Sequence, residues 1–145
     1  MEEIGSSIGR LHYKIKREIK NLPAIKKLDN VSSTNGVIIM FIYEHKDCVS
    51  QKDIEKHFGL TRSTVSKVIT AMEAKNLVKR EPMENNQKQK RLVLTDEAIA
   101  LSKEVIKEKQ EFEKNLKNVL GDNYKIFIES LNLLNSYFGG DKEYV

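Results

Sequence analysis

The apolar positions of the chain change period several times, and each change marks an element. Ile4, Ile8, Leu11, Ile15 and Ile19 recur at spacings of three and four, with Lys and Arg on the opposite face, which predicts an amphipathic helix over residues 4–20. Asn21 and Pro23 are expected to end it. A polar stretch from Asp29 to Asn35 leads to an apolar block, Val37 to Tyr43, read as a buried helix capped by Ser33 or Thr34. Ser50 opens a short helix, Gln51 to Phe58, with Asp53 placed three residues on as in a capping box, and Gly59 stops it. Thr61 caps the next helix, where Val65, Val68, Ile69 and Met72 repeat at i, i+3, i+4 and i+7 and so define an inner face. Asn76 stands where a left-handed residue closes such a helix.

From Leu77 the period changes. Leu77-Val78-Lys79-Arg80 and Arg91-Leu92-Val93-Leu94 read as two short strands around a polar loop, Glu81 to Lys90. Thr95 caps a long charged helix with Asp96 and Glu97 in its first turn, where the helix dipole favours acids. Its apolar positions run through Ile99, Val105, Ile106, Phe112, Leu116 and Val119 until Gly121 breaks it. Tyr124 to Phe138 gives a final helix with Phe127, Leu131 and Leu134 on one face. The expected fold is mainly α with one small β-hairpin, arranged as a single unit over residues 1–145.

Two helices joined by a Gly-containing turn and followed at once by a hairpin are the elements of a winged helix-turn-helix, here over residues 33–95. Burial of Val65, Ile69 and Met72 turns Arg62, Ser63, Ser66, Lys67 and Thr70 outward. Arg and Lys can bond guanine edges or phosphates, Ser and Thr accept or donate, and a helix N-terminus attracts phosphate. Between Thr61 and Thr70 there are two cations and no carboxylate, whereas a solvated helix face ordinarily mixes both signs. Charge location agrees: residues 50–95 carry ten Lys/Arg against five Asp/Glu, and residues 96–145 carry seven against ten. At the hairpin tip, residues 85–91 supply three cations and four amides with no apolar side chain, as expected of a wing that lies over phosphates and enters the minor groove. Lys88 and Lys90 are its expected contacts, with Gln87.

Several function classes recede on the same residues. Cys48 is the single cysteine, so no intrachain disulfide forms, and no Cys or His spacing suits structural zinc; a reducing cytoplasm is expected. Acidic Glu2 and Glu3 open a chain with no signal-like start and no window near the ~18 apolar residues of a membrane span. No Gly-rich phosphate loop, His-Glu-x-x-His or nucleophile elbow points to catalysis, so no enzyme activity and no cofactor are expected.

The run from Ser50 to Lys67, with Thr61-Arg62-Ser63-Thr64-Val65-Ser66 at its centre, the exit Lys75-Asn76-Leu77-Val78 and the return Val93-Leu94-Thr95 closely resemble the MarR family, the multiple-antibiotic-resistance type of winged-helix regulators. The resemblance implies a homodimer built from the terminal helices (1–22 and 96–140), a palindromic operator in double-stranded DNA, repression, and release by a small-molecule effector. Carried over by position, it makes Arg62, Ser63, Thr64, Ser66 and Lys67 groove or phosphate contacts, and Gln87 and Lys88 the wing tip. Where the family wing reads Asp-x-Arg, this chain has Asn86-Gln87-Lys88, which removes an acid-to-arginine brace from the loop. Asn76 also stands in place of Gly, and Glu55 in place of a small residue.

The end helices bear more large apolar side chains than one copy needs: Ile4, Ile8 and Leu11, then Phe112, Leu116, Phe127, Leu131, Leu134 and Phe138. One recognition helix reads few base pairs, and a C2 dimer doubles its contacts one helical turn apart. Of these residues Ile4, Ile8, Leu11, Phe127, Leu131 and Leu134 are the expected dimerisation set. Two alternatives stay open: a winged helix that binds protein, and a metal- or redox-responsive regulator using Glu44, His45, Asp47 or Cys48. Against the second, no two histidines stand at i and i+3 or i+4, and thiol-sensing relatives carry their cysteine in the first helix, where this chain has none.

Overall fold

The computed structural model describes residues 1–46, 49–83 and 86–139, without the side chains of Asn86 and Gln87. Seven helices and one hairpin are described: α1 (Ile4–Lys20), α2 (Pro23–Val31), α3 (Gly36–Glu44), α4 (Gln51–Phe58), α5 (Arg62–Ala74), β1 (Val78–Met83), β2 (Asn86–Leu94), α6 (Asp96–Leu120) and, after a 3-10 turn at Gly121–Asn123, α7 (Tyr124–Tyr137). The chain forms two compact units, Met1–Glu108 and Lys109–Val145.

In the first unit Ile38, Ile39 and Ile42 of α3, Ile54 of α4 and Val65, Ile69 and Met72 of α5 close into one core. Leu77, Val78, Leu92 and Leu94 of the hairpin join it, as do Ala98, Leu101 and Val105 of α6. Contiguous burial of this kind is the main stabilising term of such a unit. The second unit contributes no residue to the buried apolar set among the described residues.

Helix α2 departs from the sequence expectation. Pro23 does not stop α1 from a loop; it occupies the start of a new helix, where its fixed φ is suited and its missing N–H costs nothing. The N-cap residue Leu22 offers no side-chain bond, and the carboxylate of Glu108, on α6, accepts the N–H of Ala24 at 2.9 Å instead. The cap expected at Ser33 or Thr34 is also corrected. Both residues are left-handed, with φ of 51° and 67°, so they turn the chain, and Asn35 is the N-cap of α3 without a side-chain cap bond. Immediately after it Gly36 is buried, and a Cβ there would stand 2.7 Å from Asp29 Oδ1 and 3.1 Å from Leu28 Cγ.

Local signals elsewhere behave as their chemistry dictates. Ser50 and Asp53 form a reciprocal capping box, Gly59 closes α4 at φ 63°, Thr61 caps α5, and Asn76 follows α5 at φ 57°. Thr95 Oγ1 accepts the N–H of Ala98 at the start of α6.

The polar segment 81–90, expected as a loop, is largely strand. Val78 to Pro82 pair antiparallel with Leu94 to Lys90 in regular register, then Met83 pairs with Asn86, so residues 87–89 bulge from β2. Polar side chains on a projecting hairpin give no apolar alternation, which is why the sequence pattern ended too early. A two-stranded ribbon is marginal by itself. Here the N–H of Leu92 donates to the carbonyl of Val49 at 2.7 Å and Ser50 bridges Arg91, so the segment before α4 acts as a short third partner.

Candidate nucleic-acid interface

The placement of α5 follows from its inner face. With Val65, Ile69 and Met72 fully buried, Arg62, Ser63, Thr64, Lys67 and Thr70 are exposed and Ser66 is half-buried. All six expected contact residues of α5 therefore share the outer side of one helix. No carboxylate pairs with Arg62 or Lys67 among the described residues. One member is partly committed: the Thr61 hydroxyl donates to Thr64 Oγ1 at 2.9 Å and accepts the Thr64 N–H at 3.2 Å, so Thr64 serves the N-cap. Gln51 Nε2 donates to the carbonyl of Arg62 at 3.4 Å, which ties the first turn of α4 to that of α5.

Between these helices and the hairpin lies an open cleft of about 460 Å³. Lys52, Arg62, Arg80, Lys88 and Lys90 line it, with Glu55 as the one acid among the described residues, and Ser50, Gln51 and Gln89 add polar groups. Cations converging in a concave site raise the local concentration of an anion such as a phosphate backbone. Lys88 and Lys90, the wing cations singled out from sequence, line this cleft, while the side chain of Gln87 lies outside the described residues. Lys52 and Arg80 were missed as cleft residues. Their proximity depends on tertiary packing, although a Lys in the first turn of a helix just ahead of a recognition helix is a signal that could have been read.

Ion pairs hold the hairpin at its base and near the end of its regular register. Arg80 bonds Glu73 near the end of α5, and Arg91 Nη2 meets Glu81 Oε2 at 2.9 Å across the ladder. Arg91, counted among the tip cations from sequence, is therefore paired.

A second open cavity, of about 610 Å³, is lined by Phe41, His45, Val49, Asp53, Lys56 and His57. His45 and His57 both stack on Phe41, with ring centroids 4.2 and 4.4 Å away, and His45 Nδ1 lies 2.8 Å from the carbonyl of Phe41. No group of three His, Cys, Asp or Glu side chains is arranged to hold a metal among the described residues. Asp47 and Cys48 lie outside the described residues.

The expected dimerisation residues divide into two kinds. Ile4, Ile8 and Leu11 are exposed, and Phe127, Leu131 and Leu134 are half-buried. No residue of α1 or α7 is buried. Val119 (86% exposed) and Leu133 (73% exposed) are more open than any residue of the expected set, and both were passed over for that role. No helix of the described residues is long and apolar enough to cross a membrane.

A family model described as MarR family matches residues 30–89, which run from the end of α2 through the hairpin bulge. Among solved structures, the chain resembles MepR of Staphylococcus aureus, described as a transcription regulator of the multidrug efflux pump MepA, at 28% identity and a TM-score of 0.68, covering 89% of this chain and 97% of that one. It also resembles a MepR–DNA complex from the same organism at 25% identity and a TM-score of 0.71, covering 91% and 98% of the two chains. A third match is MepR bound to ethidium bromide, at 28% identity and a TM-score of 0.67, covering 89% and 95%. No curated protein sequence matches the chain.

Proposed function

We propose that the chain is a winged-helix, DNA-binding transcription regulator of the MarR type, a homodimeric repressor that binds a palindromic operator in the cytoplasm and is released by a small-molecule effector. The observation that carries the reading is the acid-free outer edge of α5, from Arg62 to Thr70, standing beside a cleft with five basic side chains. In this reading α5 enters the major groove. Arg62, Ser63, Ser66, Lys67 and Thr70 meet base edges or flanking phosphates, and Thr64 supports the helix start. Lys88, Lys90 and Gln87 follow the backbone beside the minor groove, and Lys52 extends the phosphate track, while Arg80 stays paired with Glu73 at its edge.

The second half of the reading is symmetry. Helices α1 and α7 carry apolar side chains that a single copy leaves uncovered, and the solved MepR–DNA complex is the precedent for a relative on duplex. A second copy covering those faces presents two α5 edges about one helical turn apart, roughly 34 Å. An effector that alters that separation uncouples both half-sites; the ethidium-bound relative supports a ligand of planar aromatic character. The role is one of binding, with no catalytic step.

The test is selection of bound duplexes from a random pool, followed by footprinting. Two inverted half-sites spaced by one turn are expected. Enrichment of no sequence, with no binding at low salt, would remove the reading.

A further inference from the structure

The hairpin that carries Lys88 and Lys90 is regular up to the pair Pro82 and Lys90. Glu81 and Arg91 are opposite each other in the ladder, one pair before the register shifts and the bulge at residues 87–89 begins. Their side chains meet at 2.9 Å and are each somewhat under half exposed. Strand alternation puts Arg80, Pro82, Lys90 and Leu92 on one face of the ribbon and Lys79, Glu81, Arg91 and Val93 on the other. The cationic cleft is lined by Arg80, Lys90 and Leu92 from the first face and not by Glu81 or Arg91. The backbone of Arg91 is in turn bridged to Ser50, whose side chain caps α4. A continuous path thus runs from the start of α4, through the Arg91 main chain and guanidinium, to Glu81 on the other strand.

We propose that Glu81 and Arg91 are positioning residues for DNA binding: their cross-strand pair sets the angle at which the bulge presents Lys88 and the cleft presents Lys90, and Arg91 does not touch DNA. The proposal rests on the DNA-binding reading above. It also makes a prediction that charge counting reverses. Removing an acid from a DNA-binding surface strengthens binding if only net charge matters. Removing Glu81 weakens binding if the acid holds the wing in place.

The experiment measures affinity for a mixed-sequence duplex of about thirty base pairs at low and moderate salt, for the wild-type chain, Glu81→Gln, Arg91→Gln and the exchanged pair Glu81→Arg with Arg91→Glu. Both single variants are expected to bind about two- to fivefold more weakly, the range of a part-exposed ion pair. The exchanged pair is expected to return to within about twofold of wild type, and melting temperatures to stay together, which separates placement of the wing from a general loss of fold. Tighter binding by Glu81→Gln overturns the proposal. So does an exchanged pair that binds as weakly as Arg91→Gln with a salt slope smaller by about 0.9, because that marks Arg91 as a direct phosphate contact. Failure of the wild-type chain to bind is a different result, and it ends the DNA-binding reading together with the pair's role in it.

Discussion

At the scale of single residues, the chain's behaviour is decided by what each side chain has left over once its local structure is satisfied. Arg62 and Lys67 have no carboxylate partner among the described residues, whereas Arg91 and Arg80 are paired. Each of the variants Arg62→Ala and Lys67→Ala is expected to lower affinity for a selected duplex by about 1 to 3 kcal/mol where the side chain reaches a base. Equilibrium binding of each variant checks this, and retention of both affinity and sequence preference by both variants would discredit the assigned edge. Gly36 is the matching case in the core. The Asp29 carboxylate can turn aside, but Leu28 Cγ at 3.1 Å from a Cβ is buried and must give by a few tenths of an ångström, so Gly36→Ala is expected to lose about 1 kcal/mol of stability in denaturant unfolding. A loss below a few tenths would mean that α2 can shift away freely. The exposed edge of α5 was legible from sequence because it is the complement of an inner face that periodicity alone identifies. The restraint on Thr64 was partly legible too, since Thr61 and Thr64 stand at N-cap spacing.

The elements divide by whether their signals are local. Helices α4, α5 and α6 start and stop at Ser50, Gly59, Thr61 and Thr95 because a cap acts within three residues of itself. Helix α2 escaped notice because its cap comes from elsewhere: Glu108 is 84 positions from the Ala24 N–H it accepts. Pro23, read as a terminator, serves equally well as a first residue, and sequence distance hides which role applies. Glu108→Ala is accordingly expected to cost about 1 kcal/mol of stability, the usual worth of a lost helix cap. Thermal or denaturant unfolding reads the change directly, and an unchanged midpoint would show that water replaces the carboxylate without loss. The hairpin was under-read for a different reason. Beyond Arg80 its strands project away from the core and need no apolar face, so main-chain pairing is their only signature. The placement of Lys52 could have been read from its helix turn, but the cleft as a whole could not, because Lys52, Arg62 and Lys90 meet only after the strands return along α4.

For the whole molecule, the buried apolar residues are concentrated in the first unit, and α1 and α7 bury none. Exposed apolar faces on such helices call for a partner, and a second copy is the partner proposed for them. Leu131→Arg is expected to shift the protein from dimer to monomer in sedimentation at micromolar concentration and to lower DNA affinity well beyond the loss from one phosphate contact. A variant that sediments as a dimer would move the interface elsewhere, with Val119 and Leu133 the next residues to test. The central claim, that the outer edge of α5 with its neighbouring cleft is the DNA-binding surface, is tested most directly by one titration. The wild-type chain and the double variant Arg62→Ala with Lys67→Ala are titrated against the same selected duplex between roughly 50 and 200 mM salt. Wild-type affinity is predicted to fall linearly in log–log form, and the double variant to bind at least about thirtyfold more weakly, the sum of two modest contacts. Equal affinities and equal salt slopes for the two proteins would contradict the account.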